Sequence, residues 1–436
     1  MEFKLFPGGT ISGEIRVPGD KSISHRAVML ASIAEGASHI RGFLEGEDAL
    51  ATVAAFRAMG VDITGPERGE LQVQGVGLQG LRAPQAPMDM GNSGTSMRLL
   101  SGLLAGQPFR SQLTGDASLC RRPMGRVMEP LARMGARISA APGDRPPLEI
   151  QGNPDLRGVH YDLPVASAQV KSALLLAGLY ARGCTSVTEP APTRDHTERM
   201  LRGFGYAVSR ENGVIQLRGG GRLTATDIDV PGDISSAAFF LVAASIAPGS
   251  ELLLTHVGVN PTRIGIINIL TLMGADITLL NERDVGGEPV ADLLVRHAPL
   301  RGIDIPRDQV PLAIDEFPAL FIAAACAQGR TTLRGAEELR VKESDRIASM
   351  AEGLTTLGVA NEPLPDGIVI EGGTLGGGVI HTHHDHRIAM AFSVAALRAE
   401  REIFVLDCDH VATSFPDFDA HARGVGLQIS TQAGPD

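Results

Sequence analysis

At 436 residues the chain exceeds what one hydrophobic core ordinarily organises, so two domains are the natural expectation. Hydrophobic residues at 43% and charged residues at 20% exclude a disordered chain, and a net charge of −11 argues against a nucleic-acid partner. The N-terminal stretch lacks signal-peptide character, no apolar run is long enough to span a bilayer, and four scattered cysteines form no CxxC pair; a cytoplasmic chain without structural zinc is expected.

In chain order, a strand-like segment from Phe3 to Val17 precedes an apolar, small-residue helix, RAVMLASIAEG. Helices of the same type recur at MRLLSGLLAGQ, KSALLLAGLYARG, AAFFLVAASIAPG, ALFIAAACAQG and AMAFSVAALRAE. Each leads into a short β-type run and then an amphipathic helix that ends at a turn glycine: Gly60, Gly135, Gly205, Gly274, Gly358 and Gly426. With these glycines roughly 70 residues apart, the pattern predicts an α/β chain of six repeated β-α-β-α-β type units. The last unit is too short, so residues 1–19 are expected to complete it. Three units per domain then predicts similar domains at 20–231 and at 1–19 plus 232–436. The chain would cross between them at the turn signals Pro18-Gly19 and Pro231-Gly232.

The segments just ahead of the apolar helices carry the chemistry: GDKSISHR, GNSGTSMR, ASAQVKS, PGDISS, AIDEFP and HHDHR. Helix N-termini offer unpaired N–H groups and a positive dipole end. Capping accounts for Asp233, Ser235 and Ser236. It does not account for Lys21, Arg26, Arg98, Lys171 and Arg387, cations placed where the dipole disfavours them. They predict bound anions, with helix N-termini pointing at an interdomain cleft. Arg121 and Arg122 in CRRPM, and Lys342, Glu343, Asp345 and Arg346 in VKESDR, follow two of the helices; for the latter run a solvated helix face explains the spacing equally well. Of 39 basic residues only Lys4, Lys21, Lys171 and Lys342 are lysine. Lysine at 21 and 342 therefore points to a compact donor able to exchange a proton. His381–His386 reads as HxHxDH, a zinc-hydrolase signature, but it introduces an apolar helix in register with five others.

PGDKSISHRA, GNSGTSMR, CRRPM, SAQVKSALLLAG, TRDHTERM, the Asp315 segment, ELRVKESDR, DHRIAM and TSFPD stand in the order found in the EPSP synthase family, and the chain resembles that family over almost its whole length. The resemblance implies two domains of three units. It implies transfer of the enolpyruvyl group of phosphoenolpyruvate to the 5-hydroxyl of shikimate 3-phosphate, with release of phosphate and without metal or organic cofactor. It assigns Lys21, Ser22, Arg26, Ser167, Ala168, Gln169, Arg194, Asp315 and Lys342 to shikimate 3-phosphate. Lys21, Gly94, Arg122, Gln169, Arg346 and Arg387 fall to phosphoenolpyruvate, whose pocket the inhibitor glyphosate occupies in the family. Asp315, Glu343 and Lys21 become the catalytic group. A methyl on Gly94 would intrude on the extra length of glyphosate. A monomer with small-molecule substrates, no membrane and no nucleic acid is expected.

Two departures align the chain with the second bacterial subgroup: Thr413-Ser414 stand where some members carry a lysine before Phe-Pro-Asp, and Glu338 replaces an asparagine. The sister enzyme, UDP-N-acetylglucosamine enolpyruvyltransferase, is the nearest alternative. Its loop cysteine corresponds to Ser118, and its Lys-Asn pair to Lys21-Ser22.

Overall fold

The computed structural model describes residues 1–433. Its backbone packing resolves two compact units: residues 19–230 with 285–288, and residues 1–18, 231–284 and 289 onward. Each has its own hydrophobic core. The four residues Val285–Glu288, which the repeat count placed elsewhere, group with 19–230; Arg199 donates to the carbonyl of Gly287 at 2.8 Å.

Six small sheets match the six repeats, three in each unit. In residues 19–230 a two- or three-residue edge strand runs parallel to its neighbour, and two antiparallel strands follow. Met88–Asp89 lies beside Arg110–Thr114 in this way, and His160–Asp162 beside Cys184–Thr188. The same order recurs in the other unit; in its three-stranded sheet isolated parallel bridges, Arg301 to Gln328 and Asp304 to Thr332, stand where the others have the edge strand.

The segment 1–19 departs from expectation. Glu2–Leu5 does enter the sixth sheet, centrally between Ile403–Leu406 and Ile429–Gln432. Ser12–Ile15 instead pairs parallel with Glu251–Leu254 in the fourth sheet. Correspondingly Ile228–Asp229, which precedes the fourth helix, is the parallel edge strand of the first sheet, beside Ile40–Arg41. The chain thus exchanges edge strands at its two crossing points. No local pattern marks this, because both partners are distant in sequence.

Each unit builds its core from three nearly all-buried helices. These are Lys21–Ile33, Gly94–Ala105 and Ala168–Gly178 in one, and Ile234–Ile246, Phe317–Cys326 and His386–Ala395 in the other. Small residues let them approach: a Cβ on Gly102 would stand 2.1 Å from the carbonyl oxygen of Ala173 on the next helix. Phenylalanines fill the second core, and full burial of Phe239, Phe317 and Phe392 stabilises it by roughly 1.5–3 kcal/mol each. The six turn glycines all adopt positive φ, between 78° and 114°, where a Cβ is disfavoured, and end the six outer helices as predicted. No helix among the described residues is long and apolar enough to cross a membrane.

Candidate active site

In residues 19–230 the three core helices bring their N-terminal turns together through side chains. Asp20 caps the first by accepting from Ile23 N at 2.9 Å, which places Lys21 and Ser22 in its first turn. Lys21 Nζ lies 3.0 Å from Asp48 Oδ2 on the Glu47–Ala58 helix. One turn on, His25 Nδ1 meets Thr52 Oγ1 at 2.8 Å, and that hydroxyl meets Ser96 Oγ at 2.8 Å. Two i,i+4 pairs, Lys21/His25 and Asp48/Thr52, therefore face each other across two helices. Burial, then the charges of Lys21 and Arg26, hold His25 well below its usual pKa, so it serves as a neutral hydrogen-bonding ring. Arg26 is buried and donates from Nε to Thr197 Oγ1 (2.7 Å), from Nη1 to Ser22 O (2.9 Å) and from Nη2 to Ser172 Oγ (2.8 Å). Thr197 opens the His196–Gly203 helix, and half-buried Arg194 lies in the loop just ahead of it.

Ser167 caps the third helix through Val170 N, with Ala168 and Gln169 next in line. The Gln169 amide is fixed at both ends: Oε1 accepts from Arg98 Nη1 at 2.7 Å and Nε2 donates to Thr95 Oγ1 at 3.0 Å. Arg98, read from sequence as an anion-facing cation, thus orients Gln169. Arg122 Nη2 donates to Asn92 Oδ1 at 2.6 Å, and Asn92 Nδ2 to Asp116 Oδ2 at 2.7 Å. A Cβ on Gly94 would lie 2.8 Å from Arg98 Nη1 and 3.3 Å from Arg122 Nη1. Its first neighbours are therefore two guanidinium tips.

Lys171 corrects the sequence reading. It is fully buried, with Nζ 3.0 Å from Glu189 Oε1 and 2.8 Å from Glu198 Oε1. Its partners are structural carboxylates, which the spacing of ASAQVKS could not reveal.

The second unit assembles a different arrangement around Arg346, which is 1% exposed. Its Nε lies 2.8 Å from Asp385 Oδ2, its Nη2 2.7 Å from Glu343 Oε2 and its Nη1 3.4 Å from Asp315 Oδ1. Burial works against its charge, but Asp385, Glu343 and Asp315 outweigh that and raise its pKa. Burial likewise opposes the Asp385 charge, yet Arg346 keeps that carboxyl below the usual range. Lys342 Nζ stands 3.3 Å from Asp315 Oδ1, and Arg387 Nη1 donates to the Asp315 carbonyl at 3.1 Å. The VKESDR run is therefore no solvated face: its Lys, Glu and second basic residue all turn onto this cluster. Sequence reading missed the pinning role of Asp385, along with Arg263 and Glu316. The adjacent acids of AIDEFP were the available signal for Glu316.

The HxHxDH residues are used otherwise. His383 Nε2 lies 3.0 Å from Glu352, His384 packs edge-on against His410, and Asp385 serves Arg346. Among the described residues no group of three or more His, Cys, Asp and Glu could hold a metal ion.

Comparison with known proteins gives one consistent result. The family model for EPSP synthase (3-phosphoshikimate 1-carboxyvinyltransferase) matches residues 6–421. The 3-phosphoshikimate 1-carboxyvinyltransferase of Alkalilimnicola ehrlichii is 66% identical over 431 residues, 99% of this chain and 97% of that one. That of Methylococcus capsulatus is 65% identical, with 98% of each chain covered. The solved EPSP synthase of Acinetobacter baumannii superposes with a TM-score of 0.90 at 57% identity, covering 99% of this chain and all of that one.

Proposed function

The chain belongs to the EPSP synthase (3-phosphoshikimate 1-carboxyvinyltransferase) family, and from that premise we propose which side chains handle each part of the reaction. The enzyme transfers the enolpyruvyl group of phosphoenolpyruvate to the 5-hydroxyl of shikimate 3-phosphate and releases phosphate. One observation carries the assignment of the chemistry: a single buried guanidinium, Arg346, holds Asp315 on one Nη and Glu343 on the other. The reaction needs a base and an acid on one ligand pair, and here two carboxylates stand fixed by one cation.

In the proposed sequence Asp315 takes the proton of the 5-hydroxyl as that oxygen bonds to C2 of phosphoenolpyruvate. Glu343 delivers a proton to C3, which gives a tetrahedral intermediate. Glu343 then takes back a proton from the C3 methyl as the C2–O bond to the phosphate breaks; the double bond returns, and the departing phosphate takes the proton held by Asp315. Lys21, a compact donor in a first helical turn, serves both substrates. Ser22, Arg26, Ser167, Ala168, Gln169, Arg194 and Lys342 hold shikimate 3-phosphate. Arg122, Arg346 and Arg387 pair with the phosphate and carboxylate of phosphoenolpyruvate, whose planar and tetrahedral anions suit guanidinium forks, and backbone at Gly94 allows close approach. The protein acts as a cytoplasmic monomer on this reading. Phosphate release measured with each substrate alone and with both tests the reaction itself: release is expected only from the pair, and release from either alone would overturn it.

A further inference from the structure

Asp315 and Glu316 are adjacent acids whose side chains diverge. Asp315 turns to Lys342 and Arg346, whereas Glu316, 1% exposed, turns to a loop that neither the motifs nor the proposed mechanism uses. In that loop Asn260 Oδ1 accepts from both the backbone N–H and the hydroxyl of Thr262, at 2.9 and 2.8 Å. The turn directs Arg263 inward, where it is 3% exposed. Its Nη2 lies 3.0 Å from Asp233 Oδ1, 2.5 Å from Ser235 Oγ and 3.7 Å from Glu316 Oε1. Ser235 Oγ donates in turn to Glu316. Two residues on, Gly265 N donates to Leu312 O at 3.2 Å, and a Cβ there would stand 2.6 Å from the Leu312 carbonyl carbon. Backbone thus lies on backbone at the segment that leads into Asp315.

A buried cluster of one arginine and two carboxylates is a poor way to stabilise a core, since apolar side chains of similar volume serve as well or better. Its geometry has a different effect. The peptide that follows Asp315 is fixed from both sides: its carbonyl takes a hydrogen bond from Arg387, and the next side chain is anchored by Arg263 and Ser235. The Asp315 carboxylate is left one short side chain in which to move. We infer that Arg263 is a positioning residue for Asp315: by neutralising and anchoring Glu316, it sets where the Asp315 carboxylate stands against Lys342 and Arg346. The inference rests on the proposed role of Asp315 as base. Arg263 touches neither substrate in this scheme, so its loss moves the proton-transfer step and leaves the anion contacts in place.

The test compares steady-state kinetics of Arg263→Gln, Arg263→Lys, the double variant Arg263→Gln/Glu316→Gln and Asp315→Asn with the intact enzyme. In Arg263→Gln, kcat is expected to fall about 10- to 100-fold from misplacement of the base, with both KM values nearly unchanged. The double variant, which removes the Glu316 charge together with that of Arg263 and keeps an amide to bond Ser235, is expected to recover most of the lost kcat. A merely structural staple would lower the melting temperature without this split between kcat and KM and without rescue. If Arg263→Gln does not fold, Arg263→Lys is read by the same criterion, with a smaller fall in kcat. Wild-type kcat in the Arg263 variants alongside an inactive Asp315→Asn overturns the inference alone. Wild-type turnover in Asp315→Asn overturns the role of Asp315, and the inference with it.

Discussion

The two units hold their arginines through different kinds of side chain. In residues 19–230 Arg26 donates to two hydroxyls and a carbonyl, and Arg122 to an amide oxygen. In the other unit Arg346 is ringed by Asp385, Glu343 and Asp315. Hydroxyl and amide oxygens hold a guanidinium in place without setting a full negative charge beside it. One bonded to carboxylates has much of its field cancelled, and in return it fixes those carboxylates in place. On the proposed reading the first set recognises anions, and Arg346, besides meeting phosphoenolpyruvate, fixes the carboxylates that move protons. Lys171 shows that neither rule holds by residue type alone: it lies in the first unit, is held by two carboxylates, and is too deeply buried to meet a ligand.

The largest effect that bears on this contrast is expected at Asp315. Asp315→Asn should lower kcat by about 10²- to 10⁴-fold while the KM for phosphoenolpyruvate changes little, because a base is lost and no anion contact is. Arg122→Gln should do the reverse, raising that KM by about 10- to 100-fold as a charge-assisted contact disappears. Steady-state kinetics on both variants decide the matter, and the same pattern in both would abolish the division of labour. Next in size is Lys171→Met, which strands Glu189 and Glu198 without their ammonium. Denaturant unfolding should show a loss of about 3–5 kcal/mol, whereas an anion-binding lysine would leave stability intact and change KM. The smallest effect is expected at Gly94→Ala. The added methyl displaces Arg98 and Arg122 tips, so glyphosate inhibition should weaken by about 10-fold, the lower end of what a single methylene commands in a pocket. Inhibition constants measured against varied phosphoenolpyruvate give the answer, and equal values would place Gly94 outside the recognition set.

Much of this architecture was written in local signals. Turn glycines need positive φ, apolar helices need small residues to pack, and both recur at a regular interval, so six units can be counted from the sequence. The cations of GDKSISHR, GNSGTSMR and HHDHR stand out because the dipole at a helix N-terminus disfavours them. What escaped notice was every arrangement whose partner is remote in sequence. Ser12–Ile15 pairs with Glu251–Leu254, Lys171 finds Glu189 and Glu198, and Arg263 reaches Asp233 and Glu316. Arg98 had been noticed for its charge, but its bond to the Gln169 amide was not foreseeable from a motif that holds only one of the two residues.

The exchange of edge strands also orders events in time. As the chain leaves the ribosome, Ile228–Asp229 supplies the last strand of the first sheet, so residues 19–230 can complete their three sheets while the rest is still being made. Glu2–Leu5 and Ser12–Ile15 emerge before residues 19–230, yet Ser12–Ile15 must wait for Glu251–Leu254, and Glu2–Leu5 for Ile403–Leu406 and Ile429–Gln432. Strands made before residues 19–230 are therefore placed after them. Until then two unsatisfied strands trail from a finished neighbour, and pairings of such long sequence separation close slowly. Unpaired strand edges of this kind are open to wrong partners until their own arrive.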